Sequence, residues 1–381
     1  MGVVISEKEQ DEFGDIFPGL ITLPYAIIVK VHPSALPDLI KSAVADAGFE
    51  LCGIAPVQDF PELARFPEWI AEGHSGEMKY LESRDDSGNL RRASLHSVFP
   101  WARSVVVCAI NYNTAHPYST EVKEPARGWI SRYAWSREDY HDSVLRRLRE
   151  VEEKLKQLSA FEQIETRSYV DTGPIVERVY AKYAGIGWLG KNTCLINQKI
   201  GSWLFLGVIV TSLELAPDLP AADRCGTCTR CIDACPTHAF VGPHQLDSNK
   251  CIAYLTIEKR GSIPKEYREG IGHQVFGCDI CQDVCPWNRK APATQKPEFH
   301  PREGFVNPAL AWLAEIPEED FRQTFRGSPV KRAKRNGLRR NALIAIGNSG
   351  DSSLLPVAER TTSDPEPSVA EAAAWARDQL A

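Results

Sequence analysis

Between Cys225 and Pro286 the chain carries eight of its eleven cysteines. The first run is Cys225-Gly-Thr-Cys228-Thr-Arg-Cys231-Ile-Asp-Ala-Cys235-Pro236. Its C-x₂-C-x₂-C-x₃-C-P spacing is that of iron–sulfur ligation. Cys251 follows alone, then Cys278-Asp-Ile-Cys281-Gln-Asp-Val-Cys285-Pro286. Two-residue gaps let a tight loop aim successive sulfurs at one cluster. The fourth cysteine sits a turn further on, points away and reaches the other cluster. The spacing therefore predicts Cys225, Cys228, Cys231 and Cys285 on one 4Fe–4S cluster. It predicts Cys235, Cys251, Cys278 and Cys281 on a second. Pro236 and Pro286 lack an N–H and end each turn.

Zinc sites favour C-x₂-C pairs set apart, without the third cysteine or the C-P ending. A disulfide framework needs a secreted chain, and no signal peptide is read at the start of the sequence. The cysteine usage predicts a reducing compartment, the cytoplasm. At 381 residues, 43% hydrophobic and 25% charged, the chain has room for two or three globular domains. A net charge of −6 gives no global basic field, so any nucleic-acid site is a local patch. Met1-Gly2 formally fits an acylation pattern, but the stretch after Ser6 is acidic. The apolar run 20–31 is broken by Pro24 and Lys30 and is too short to span a bilayer. No membrane association is expected; residues 1–32 read as an extension, poorly ordered or strand-like.

Residues 33–216 alternate helix and strand patterns, which predicts an α/β or α+β domain. Helices are expected over 33–48, 60–81 (broken near Gly73–Gly76) and 175–185, the last led by Pro174. Strands are expected over 49–55, 165–170, 193–197 and 202–211. The run Ser-Val-Val-Val-Cys-Ala-Ile-Asn-Tyr at 104–112 predicts a strand buried on both faces. The clearest helix spans 142–160, with Val144, Leu145, Leu148, Val151 and Leu155 on one stripe. Prolines near 217–220 lead into a ferredoxin-like cluster domain, 217–295. Beyond it, 300–381 is helical, with a turn at 347–351 that gives the pattern of a HEAT-like repeat.

Clusters move single electrons, so the first domain is expected to hold a second redox centre. No G-x-G-x-x-G follows a strand, which leaves out a dinucleotide fold of that kind. No D-x-H-x-x-G occurs either, the run of cobalamin proteins that supply an axial histidine; Asp139-Tyr-His141-Asp lacks the glycine. Three stretches then resemble epoxyqueuosine reductases: YAWSREDYHDSVLRRL from Tyr133, DTGPIVERVYAKYAGIGWLGKNTC from Asp171 and GSWLFLG from Gly201. Cys285-Pro-Trp-Asn288, Phe325-Arg-Gly-Ser-Pro-Val-Lys-Arg-Ala-Lys-Arg335 and Arg340-Asn341 continue the likeness. It covers roughly residues 35 to 350 and leaves out the first thirty.

The resemblance implies cobalamin in the first domain without an axial protein ligand, and two 4Fe–4S clusters feeding it from an external low-potential donor. It implies reduction of epoxyqueuosine to queuosine at the wobble position of the tRNA anticodon loop, by a monomer. Asp139 matches the family's acid, and opening an epoxide needs a delivered proton. A carboxyl serves at neutral pH when its pKa is raised by burial; the plainer reading of Asp139 is a helix N-cap. Asp171 and Gly190-Lys191-Asn192 lie at strand ends, where α/β sheets bind ligands, and Arg146 faces the same region; these are the expected corrin contacts. His141 reads as a packed or hydrogen-bonded histidine. Cys52, Cys108 and Cys194 read as core thiols.

Arg322, Arg326, Lys331, Arg332, Lys334, Arg335, Arg339 and Arg340 make a local basic run. With the resemblance, Lys331, Arg332, Lys334 and Arg335 are expected to dock tRNA phosphates; Trp312, Phe321 and Phe325 read as core. A reductive dehalogenase shares the cobalamin-plus-two-cluster layout. Those proteins typically carry a twin-arginine export signal and lack the basic helical tail. A ferredoxin-like carrier leaves the first domain without a task.

Overall fold

The computed structural model describes residues 33–158 and 164–381. The expectations for residues 1–32 lie outside the described residues. Four strands form the main sheet: β1 (Leu51–Pro56), β2 (Ser104–Asn111), β3 (Thr166–Tyr169) and β4 (Leu204–Thr211). Their order is β1-β2-β4-β3, and every neighbouring pair is antiparallel.

Helices cover both faces. α1 (Leu36–Asp46) and α3 (Tyr140–Leu158) lie on one side, α2 (Pro61–Ala71) and α4 (Glu177–Tyr183) on the other. The side chains of β2 divide accordingly. Val106, Cys108 and Ile110 pack with Ile40, Val44, Val144 and Leu148. Val105, Val107 and Ala109 pack with Phe60, Leu63, Val179 and Tyr180. A strand sandwiched this way has no polar face, so its sequence reads apolar throughout. Two glycines allow the close approach. A Cβ on Gly53 would lie 1.9 Å from the Ala184 carbonyl oxygen, and one on Gly207 would lie 2.8 Å from Leu148.

The antiparallel sheet corrects one expectation. The rule that ligands gather at one end of the strands belongs to parallel sheets, so it does not locate the site here. Both sheet types give alternating helix and strand patterns with apolar strands when both faces are covered, and sequence periodicity does not separate them. The long helix expected over 60–81 ends at Ala71, and a 3₁₀ turn, Lys79–Glu82, follows.

The cysteine region packs against the C-terminal helices. α5 (Leu310–Glu315), α6 (Glu318–Thr324), α7 (Lys334–Asn348), α8 (Leu355–Thr361) and α9 (Pro367–Leu380) share a core with Trp129, Trp135, Leu255 and Val275. Arg340 is buried in that joint and donates to the Leu255 and Lys259 carbonyls at 2.9 and 3.0 Å. Asn341 donates to the Thr256 and Val275 carbonyls at 2.8 and 2.9 Å. Among the described residues, no helix is long and apolar enough to cross a membrane.

Candidate redox site

The eight thiols of the cysteine region form two neighbourhoods. Burial pushes Cys231 up to about 11, with Cys225 and Cys228 beside it. Burial likewise raises Cys285 to about 11, and Cys225 and Cys231 are its neighbours. In the second neighbourhood burial raises Cys251, next to Cys235, and raises Cys278, next to Cys251 and Cys235. Cys281 is raised by its hydrogen bond with Cys194 and by burial, with Cys278 and Cys251 alongside. Thiols raised this way become thiolates when a cation at their centre compensates the burial.

The local backbone suits that task. The short helices Arg230–Asp233 and Ile280–Asp283 pack side by side. Each follows a tight turn, with the Cys228 N–H donating to the Cys225 carbonyl at 3.1 Å and the Gln282 N–H to the Asp279 carbonyl at 2.8 Å. Gly226 supplies the positive φ of +52° that the first turn needs. The Ala239 N–H donates to Cys235 Sγ at 3.4 Å. Asp279, beside Cys278, is buried and accepts from Trp129 Nε1 at 2.9 Å, from the Arg132 N–H at 2.7 Å and from the Ser131 hydroxyl. These bonds fix the cysteine region to the sheet domain. Among the described residues, no three His, Cys, Asp or Glu side chains draw in to the distances of a single bound ion.

A cavity of about 360 Å³ lies where the two regions meet. Cys251, Cys278 and Cys281 line it, and none of the first neighbourhood does. From the sheet domain come Tyr133, Tyr140, Asp171, Glu177, Arg178 and Asn192. Tyr140 stacks on Phe205 with centroids 4.3 Å apart, which builds an aromatic wall. A second cavity of about 610 Å³ lies along α2 and shares Asp171, Glu177, Arg178, Thr193 and Leu246 with the first.

The predicted site residues are divided. Asp171 lines both cavities, holds φ +57° and accepts from the Tyr140 hydroxyl at 3.0 Å. Asn192 lines the first cavity and donates to the Cys281 carbonyl at 3.3 Å. Gly190 and Lys191 lie behind it. The Gly190 carbonyl is 3.0 Å from His244 Nδ1, and Lys191 Nζ donates to the Gly226 carbonyl at 2.8 Å. Their turn thus ties the sheet domain to the first cysteine loop. Arg146 does not reach the cavity: on the outer face of α3, it forms a two-pronged pair with Glu138 at 2.6 and 2.9 Å.

Asp139 caps α3. Its carboxylate accepts from the His141 N–H at 3.0 Å and lies 2.8 Å from His141 Nδ1. It does not line the cavity. Burial pushes its carboxyl up, but the His141 bonds and the Arg302 charge outweigh burial and hold it below the usual carboxylate range. The raised acid on the cavity wall is a different residue. Glu177 is buried, its Oε1 has no partner, and burial with the Asp171 charge raises it to about 7. The sequence analysis missed Glu177 because a glutamate in a first helical turn has an ordinary explanation there. Cys194 is no core thiol: it lines the cavity and shares a hydrogen bond with Cys281.

The basic run is also divided. Lys331 and Lys334 are exposed. Arg332 pairs with Glu258 and lies 5.2 Å from the Tyr80 ring centroid. Arg335 donates to the Ile316 carbonyl at 2.7 Å. Arg339 is buried against Asp364 at 2.6 Å, and Arg340 is the core residue described above. Phe321 and Phe325 are buried, whereas Trp312 is exposed.

Fold and cysteine pattern define a two-cluster iron–sulfur protein with an attached cavity-bearing domain. A family model for a 4Fe-4S double cluster binding domain matches residues 224–288, and one described as epoxyqueuosine reductase QueG, DUF1730, matches residues 92–172. The chain is 46% identical over 295 residues to an epoxyqueuosine reductase of Synechocystis sp., covering 76% of this chain and 98% of the relative. It belongs to the epoxyqueuosine reductase family. The fold is similar to that of an epoxyqueuosine reductase solved with an epoxyqueuosine-modified tRNA-Tyr stem loop: TM-score 0.81, 31% identity, 92% of this chain and 91% of that one. It is equally similar to the Bacillus subtilis enzyme solved with its catalytic aspartate loop swung out of the active site: TM-score 0.81, 30% identity, the same coverage.

Proposed function

We propose that this chain reduces epoxyqueuosine to queuosine at the wobble position of the tRNA anticodon loop, the last step in making that nucleoside. The observation that carries the reading is the shared wall: Cys251, Cys278 and Cys281 line the same cavity as Tyr140, Asp171 and Glu177. In this reading residues 33–216 form the cobalamin domain, 217–295 the ferredoxin-like domain and 300–381 a HEAT-like tRNA-binding region. Cys225, Cys228, Cys231 and Cys285 ligate one 4Fe–4S cluster; Cys235, Cys251, Cys278 and Cys281 ligate the other. The two thiol neighbourhoods support these sets.

The cavity's lining fits a corrinoid on two counts: it has an aromatic wall for an apolar ring, and an unpartnered buried oxygen, Glu177 Oε1, for one of the ring's amide arms. No histidine is among its lining residues. Cobalamin, when bound, supplies a strongly reducing cobalt centre for breaking the carbon–oxygen bond. Asp171, Asn192 and Glu177 orient it, with Gly190 and Lys191 supporting Asn192 from behind.

Turning an epoxide into an alkene and water takes two electrons and two protons. Asp139 delivers a proton to the departing oxygen. Freed from His141 and carried into the cavity beside Asp171, its carboxyl loses the bonds that lower its pKa and gains the burial and like charge that raise it. The swung-out loop of the Bacillus subtilis neighbour supports such a movement. Lys331, Arg332, Lys334 and Arg335 meet tRNA phosphates, Arg332 after exchanging Glu258 for one. The protein works as a monomer in the cytoplasm, fed by an external low-potential donor. The test is anaerobic incubation of the loaded protein with an epoxyqueuosine-bearing stem loop and a low-potential reductant. Queuosine is the expected product; RNA that binds and keeps its epoxide contradicts the reading.

A further inference from the structure

The two thiol neighbourhoods differ in what they face. The second borders the cavity. The first is held by the 225–231 loop, where Gly226, Thr227, Thr229 and Arg230 are exposed. In the reading above, the first neighbourhood is therefore the solvent-side entrance for electrons. Five cations surround this entrance. Arg224 precedes Cys225, and Arg230 precedes Cys231. Arg289 and Lys290 follow the 3₁₀ turn Pro286–Asn288, whose Trp287 packs with Cys225 and Cys285. Lys199 sits in the turn closed by Asn197 and Gly201, and Gly201 lies against Asn288.

All five are exposed, and among the described residues none has a side-chain hydrogen bond or ion pair. Two carboxylates of the same loop are held by neutral donors and keep their charge. Asp223 accepts from the Cys225 N–H at 2.7 Å, and Asp233 accepts from Thr229 Oγ1 at 2.8 Å. On a chain of net charge −6, five unpaired cations against these two carboxylates leave a local positive field that favours an acidic partner.

We infer that the face formed by Lys199, Arg224, Arg230, Arg289 and Lys290 is the docking surface for the electron donor, a small one-electron carrier with acidic side chains around its redox centre. The inference rests on the ligation of a cluster by Cys225, Cys228, Cys231 and Cys285 proposed above. Each docking event transfers one electron: the carrier is oxidised by one, the cluster is reduced by one, and no bond or proton moves. Two events supply the two electrons the epoxide consumes. An acidic donor follows from the sign of the patch, and its short reach to the cluster from the loop's exposure.

The experiment compares the loaded wild type with the triple variant Arg224→Glu, Arg230→Glu, Lys290→Glu and the milder Arg224→Gln, Arg230→Gln. Queuosine formation is driven either by an acidic bacterial flavodoxin, kept reduced, or by reduced methyl viologen. Charge reversal is expected to raise the KM for flavodoxin roughly tenfold or more and to flatten its dependence on ionic strength. Viologen-driven turnover should stay within about twofold of wild type. If the triple variant fails to hold iron, the milder variant decides, with a roughly threefold rise in KM expected. An unmoved flavodoxin KM in an iron-replete variant overturns the inference. So does a loss of tRNA affinity with the flavodoxin KM unchanged, which would make the patch an RNA surface. Iron and sulfide below two cubanes in the wild type would instead sink the cluster reading itself.

Discussion

The Tyr140 hydroxyl donates to Asp171 Oδ2 at 3.0 Å, so the first residue of α3 faces the cavity while the residue before it, Asp139, faces His141. One step of the chain separates the cavity wall from the acid. The acid role proposed for Asp139 requires the loop before α3 to turn that carboxyl toward the cavity. Asp139→Asn keeps the cap, since asparagine also caps, but donates no proton. The variant should retain iron, sulfide and cobalamin by absorbance and lose roughly 100-fold or more in turnover. Full activity would remove the acid role.

Glu177 makes the cofactor-free protein sensitive to pH. Its pKa is raised from 4.5 to about 7, by burial first and Asp171 next, against smaller opposing contributions from Arg92 and Arg178. A carboxyl raised on folding contributes stability that is full below pH 4.5 and lost as pH rises through about 7. The loss amounts to about 3 kcal/mol at most. Glu177→Gln should therefore flatten the fall in unfolding midpoint between pH 5 and 8, measured by calorimetry without corrinoid. A variant whose midpoint tracks the wild type across that range contradicts the assignment.

Lys331 and Lys334 are exposed cations with no side-chain partner among the described residues, unlike Arg339 and Arg340. Lys331→Gln with Lys334→Gln should weaken stem-loop binding and reduce the slope of log affinity against log salt by roughly 1 to 2. Folding should be unaffected. An unchanged slope would move the RNA surface elsewhere.

Asn341 belongs to the joint between α7 and the cysteine region. Asn341→Ala leaves the Thr256 and Val275 carbonyls without their donor inside the core. The cost is about 3 kcal/mol, read as a lower denaturation midpoint. The affinity of the folded variant for the stem loop should match the wild type.

The gathering of thiols was legible because cluster ligation needs fixed loop spacings, and spacing is what a sequence displays. The buried strand at 104–111 was legible for a similar reason: no polar face survives between two helical layers. Strand direction was not, because the apolar pattern of β2 is the same beside parallel or antiparallel neighbours. Arg339 and Arg340 resemble surface charge in a basic run, yet carbonyls and Asp364 satisfy them in the core. Cys194 gains its importance from a residue distant in the chain, Cys281, that only folding brings near, and Glu177 from burial, which its short separation from Asp171 does not announce.

The central claim is that electrons stored on the cysteine-bound clusters cross into the cavity and are spent on the epoxide. A fully loaded, pre-reduced chain, freed of excess reductant, is mixed anaerobically with the epoxyqueuosine-bearing stem loop while the iron–sulfur absorbance and the nucleoside are followed together. The account predicts that the clusters reoxidise as queuosine forms, one nucleoside for every two electrons lost. Queuosine appearing while the clusters stay reduced, or clusters reoxidising while the epoxide persists, would contradict it.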